Sequence, residues 1–154
     1  MIVHACGVDK EALTIKDKYI FNNDFRMDGY YELEGDTINY FRYFFQNGSC
    51  FSASGGNFID NQCSSISNNI RDTPFFWGYF IVDKDELYIQ SYAPSGGSIG
   101  KVTIDQYFGE IKNDTTIRLY RRIAWWKEDM MINEVYHFRY CENKLDSTNI
   151  LMTY

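Results

Sequence analysis

From residue 28 onward, apolar and polar side chains alternate with the period of a strand, and turn-forming residues interrupt the alternation repeatedly. The pattern predicts eight strands. "GYYEL" (29–33) comes first and runs into an "EGD" turn. "INYFRYFFQ" (38–46) and "SCFSAS" (49–54) flank Asn47-Gly48, the strongest short hairpin signal there is. "FFWGYFIV" (75–82), "ELYIQSY" (86–92), "KVTIDQYFGEI" (101–111), "TIRLYRR" (116–122) and "VYHFRYC" (135–141) complete the set. Between them, the polar stretch 55–73 has room for a short helix and "APSGGSIG" (93–100) reads as a loop. "IAWWKEDMMINE" (123–134) reads either as a helical turn or as a long loop. Residues 1–26 lack periodicity and form an N-terminal arm or tether, which leaves 27–154 as the barrel domain.

Turn lengths fix expected registers. A two-residue Asn47-Gly48 turn pairs Phe45 with Cys50 and Tyr43 with Ser52. A three-residue loop at 83–85 pairs Ile81 with Leu87 and Tyr79 with Ile89. A three-residue loop at 113–115 pairs Ile111 with Ile117 and Gly109 with Leu119. Slipping any of these by one residue would exchange the faces of the strand. Eight sequential antiparallel strands with short loops make an up-and-down meander, and closing it into a barrel removes its exposed edges. The fold class is therefore all-β, an eight-stranded antiparallel up-and-down barrel.

Composition agrees with this reading. Tyr and Phe, at 13 and 12 copies, dominate the apolar residues, only two prolines occur, and long Ala/Leu/Glu/Lys-rich tracts are missing. One domain suits the 154 residues. A formal net charge of -6 argues against nucleic-acid binding, because the basic "RLYRR" (118–122) is a single strand. "FFWGYFIV" is far too short to span a bilayer as a helix.

The segments "YFRYFFQNGSCFSAS", "WGYFIVDKDELYIQ", "YFGEIKNDTTIRL" and "YHFRYCENK" resemble, in order, spacing and turns, the small bacterial lipocalin-like β-barrel proteins, over roughly residues 28–144. The resemblance implies a lipocalin-like barrel of the calycin type that binds a small molecule; separately, no cofactor and no enzymatic activity are expected. It has departures. Where lipocalins proper carry Gly-x-Trp, this chain has Gly29-Tyr30-Tyr31. Their Thr-Asp-x-Tyr turn is missing, and Arg139 is the sole candidate for the arginine that packs across the barrel base.

An eight-stranded barrel either fills its interior or holds one small ligand. The registers above place Tyr31, Phe41, Tyr43, Trp77, Tyr79, Ile89, Tyr107, Leu119 and Phe138 on the inner face. Several of these rings carry a hydroxyl or indole N–H that wants a partner, which a wet or ligand-filled interior supplies. The candidate pocket is lined by Phe41, Tyr43, Trp77, Tyr79, Tyr107 and Phe138. Arg121 joins them, facing inward opposite Tyr107, where a ligand carboxylate or an internal Glu would pair with it; alternatively, strand seven ends at Tyr120 and Arg121 is in solvent. The expected partner is a small apolar or amphipathic molecule. The alternative is a structural or protein-interaction barrel with a filled core, whose exposed rings Tyr40, Phe44 and Phe51 bind a partner.

Catalytic chemistry ranks last, because no nucleophile motif and no acid–base pair can be placed. His137 is read as a strand histidine, and Asp83, Asp85, Glu86 and Asp114 as hairpin tips. Neither glycine-rich stretch opens a helix after a strand, as phosphate loops do. No close pair among Cys6, Cys50, Cys63 and Cys141 has zinc-site spacing, so no metal is expected. Buried thiols are expected at these cysteines, with a Cys50–Cys63 bridge as the alternative. "VHAC" (3–6) is similar to the end of a lipoprotein signal, with Cys6 as the lipidation site and the polar residues after it as a tether. No basic, apolar leader precedes it, so the expectation divides between an extracytoplasmic protein anchored by lipid and a cytoplasmic one.

Overall fold

The computed structural model describes residues 13–15, 25–54, 76–94, 102–124, 126 and 128–142. Eight antiparallel strands follow one another around a closed barrel: β1 (Gly29–Leu33), β2 (Phe41–Phe44), β3 (Ser49–Ala53), β4 (Trp77–Asp83), β5 (Glu86–Pro94), β6 (Val102–Asn113), β7 (Thr116–Ile123) and β8 (Asp129–Tyr140). The last strand pairs with the first, Tyr31 opposite Phe138 and Leu33 opposite Tyr136, so no sheet edge is left open. The ambiguous stretch 123–134 is mostly strand, for β7 runs to Ile123 and β8 begins at Asp129. The polar stretch 55–73, where the sequence leaves room for a short helix, lies outside the described residues.

The β6–β7 register is the expected one, with Ile111 opposite Ile117 and Gly109 opposite Leu119. Two other hairpins are shifted by one residue. At β2–β3, Phe44 faces Cys50 and Tyr43 faces Phe51. A two-residue turn of the expected kind needs positive φ at both Asn47 and Gly48. Only Gly48 has it, at 82°. The Gly48 N–H donates to the Phe45 carbonyl and the Phe45 N–H to the Ser49 carbonyl, which makes a three-residue loop ending on a left-handed glycine. The Asn47 carboxamide oxygen accepts from the Ser49 N–H and hydroxyl, at 3.1 and 2.6 Å, and locks that geometry. At β4–β5, Asp83 faces Glu86 around a tight Lys84-Asp85 connection with Lys84 at φ 56°. Val82 therefore meets Leu87, and Phe80 meets Ile89.

The shifts exchange faces on β2 and β4. Phe41, Tyr43 and Trp77 are turned outward, where they bury one another with Phe45, Phe51 and Ala53. Tyr79 is also outward, in a second layer with Tyr92, Leu13 and Ile15. The Thr14 backbone N–H donates to Gln90 on that wall at 2.9 Å, so residues 13–15 of the arm lie along the barrel. The inner face instead carries Phe44, Cys50, Phe80, Val82, Leu87, Ile89, Ile111, Ile117 and Leu119. A third shift is a β-bulge on β7 at Tyr120. The bulge absorbs one residue, so Arg122, not Arg121, lies opposite Tyr107.

One end of the barrel is plugged. Phe25 inserts among Phe44, Tyr31 and Phe80, with ring centroids 5.2 to 5.9 Å away. The Tyr31 hydroxyl donates to the Arg26 and Asp114 carbonyls, and the Arg26 guanidinium lies 4.3 Å over the Phe138 ring. Arg139 points outward to Glu32 at 2.8 Å, so Arg26 and not Arg139 covers the base. Neither Cys50 nor Cys141 is in a disulfide, and both are buried.

Candidate functional site

Inward-facing residues shrink toward the opposite end. On β4, Phe80 gives way to Gly78; on β5, Ile89 gives way to Ser91 and Ala93; on β3, Cys50 gives way to Ser52. A Cβ at Gly78 would fall 2.0 Å from the Gln90 carbonyl, so only glycine allows β4 and β5 to approach there. These small residues leave a cavity of about 470 Å³, within the range of small-molecule sites.

Polar groups face that space alongside apolar ones. Arg42 projects from β2, level with Ser52 on β3, and is 2% exposed. Its guanidinium carbon lies 4.3 Å from the Tyr107 ring centre and 5.4 Å from those of Tyr40 and Tyr136. Burial works against its charge, and the phenols of Tyr136, Tyr40 and Tyr107 more than offset that, so Arg42 stays a cation. Asp105 on β6 forms an ion pair with Arg122, the residue the bulge turned inward. The Tyr136 hydroxyl donates to Glu134 at 2.7 Å and also faces Arg42, so it lies between the two charges. Burial pushes the Tyr107 hydroxyl up to about 12, and that of Tyr136 higher still.

The mouth is shaped by the β1–β2 connection. Gly35 turns it at φ 71°, and the Asp36 carboxylate accepts from the Ile38 and Tyr40 N–H groups, both at 2.9 Å. That clamp sets Tyr40 beside Arg42. Phe76 and Trp126 flank the opening. Phe76 is held at φ 75°, which a bulky residue adopts only under constraint; its N–H donates to the Tyr92 carbonyl, and its carbonyl accepts from the Ser52 N–H.

Of the residues expected to line the pocket, Tyr107 does so. Phe138 packs in the plugged base. Phe41, Tyr43, Trp77 and Tyr79 are on the outer face. Arg121 is outside too, paired with Asp129 at 2.7 Å and stacked on Phe108. Phe44 and Phe51, expected as exposed partner-binding rings, are buried, and Tyr40 is half-buried at the cavity. Sequence reasoning missed Arg42, Asp105, Arg122 and Glu134. The signal for Arg42 was present in a single cation within the aromatic run "YFRYFF". His137 is outward, 3.6 Å from Glu34. Cys6 and Cys63 lie outside the described residues.

No protein-family model matches the chain, and no similar curated protein or solved structure was found for it.

Proposed function

We propose that the protein is a lipocalin-like carrier or receptor that binds one small amphipathic molecule in the polar end of its barrel. The observation that carries this reading is the cavity of about 470 Å³ above a tightly packed base. A barrel serving only as a structural element gains nothing from small inward residues at Ser52 and Ser91, whereas a binding barrel needs them. The lining combines rings with a few oriented polar groups, as ligand sites do. Native mass spectrometry of protein purified from its source organism tests it. The expected spectrum contains an adduct that denaturation releases and that Ser91→Leu abolishes. Identical native and denatured masses would remove the reading.

A second reading is favoured by one observation: Glu134 and Asp105 converge on the cavity beside the Tyr136 and Tyr107 hydroxyls. Such acid–phenol pairs suit proton transfer to a bound molecule. Returning the released molecule to fresh protein separates the two, since a carrier gives it back unchanged.

A further inference from the structure

We propose that the bound molecule is a small monocarboxylate, its carboxylate seated on Arg42 and its apolar body directed toward the mouth. This deepens the binding reading above and rests on it. Arg42 is buried on the cavity wall, and its Nε–H has no acceptor among the described residues. Among the described residues no carboxylate lies within ion-pair distance of it. A guanidinium cannot shed its proton to escape this position. The Tyr136 hydroxyl accepts from one side of the guanidinium, while the ring faces around it are weak acceptors and leave the Nε–H unsatisfied. The planar fork matches a carboxylate, which takes two parallel hydrogen bonds.

The neighbouring charges select the valence. Arg122, the other cation at the cavity, is already paired with Asp105. Glu134 is reached only through the Tyr136 hydroxyl. Among the described residues one cation thus lacks a carboxylate in contact, and three carboxylates, Asp36, Asp105 and Glu134, line the cavity and repel a dianion such as a phosphate monoester. At the mouth, Leu33, Tyr40, Phe76 and Trp126 supply apolar surface for the remainder of the ligand.

Calorimetric titration of the full chain with phenylacetate, phenethyl alcohol and phenethylamine tests this, because the three probes share one body and differ in the head group. Phenylacetate should bind at least about tenfold more tightly than the alcohol, with the amine weakest. Arg42→Met should make acid and alcohol indistinguishable. Arg42→Lys should retain part of the preference, because an ammonium keeps the charge and loses the fork. An alcohol that binds as well as the acid, or an amine that binds best, would overturn the carboxylate assignment and leave the cavity reading standing. An undiminished acid preference in Arg42→Met would overturn the role of Arg42. Failure of all three probes at millimolar concentration would overturn both readings. If Arg42→Met does not fold, the wild-type ranking and Arg42→Lys still decide.

Discussion

The two ends of this barrel are built from the same strands and solve opposite problems. At the base, Phe44, Phe80, Ile89, Leu119 and the plug Phe25 fill the interior with side chains that leave no polar atom to satisfy. Two residues further along the same strands stand Arg42, Gly78 and Ser91, with Asp105 opposite Ser91 and ion-paired to Arg122. The base is where apolar burial stabilises the fold. The polar end gives up that gain and buries a cation that has no carboxylate in contact among the described residues. Such local departures from good packing are expected at functional sites.

The contrast breaks most visibly at the base. Phe80→Ala should cost about 3–5 kcal/mol in urea denaturation, because the ring is fully buried against Phe25 and Phe44 and a cavity would replace it. Ser91→Ala, at the same wall of the polar end, should change stability by much less, since it opens no void in packed surroundings.

Much of the fold was legible, and the failures have two causes. All eight strands and their order follow from alternation and turns. The β6–β7 register was also legible, because Lys112, Arg118 and Tyr120 mark an outer face against Ile111, Ile117 and Leu119. On β2, β3 and most of β4 both faces are buried. There, alternation carries no register information, so a turn type misjudged by one residue moved Phe41, Tyr43, Trp77 and Tyr79 to the wrong side. Arg121 failed for a different reason, since a bulge at Tyr120 leaves no mark in a run as uniform as "RLYRR". The candidate site was consequently legible only at Tyr107 and in the idea of an inward arginine.

Alkaline pH sharpens the comparison with a smaller effect at each end. Burial pushes the Cys50 thiol, near the base, from 9.0 up to about 12, and the Tyr107 hydroxyl, at the cavity, from 10.0 up to about 12. Between those values the native state holds a proton that the unfolded chain releases. Stability is therefore complete below pH 9 and falls as pH rises toward 12. Cys50→Ser should flatten the decline from its start, and Tyr107→Phe should flatten only its later part, as read from urea midpoints across the range.

The smallest effect belongs to the outer surface. The Arg121 guanidinium holds Asp129 below the usual carboxylate range, and the pair is exposed. Its contribution exists above the unfolded carboxylate value, about 4, and is lost as pH falls through the lowered folded value. Asp129→Asn should leave the melting temperature nearly unchanged at neutral pH, and added salt should erase the remaining difference.

The most direct measurement is the stability of Arg42→Met in protein freed of small molecules. If Arg42 is kept for a ligand, the fold holds it at a cost, and Glu134, which is only half-buried, is not stranded when it goes. The substitution should then raise stability, by about 1 kcal/mol. A loss of about 3–5 kcal/mol, equal to that of Phe80→Ala, would mean that Arg42 and its three tyrosines are part of the structural core, and that the two ends of the barrel do not differ in kind.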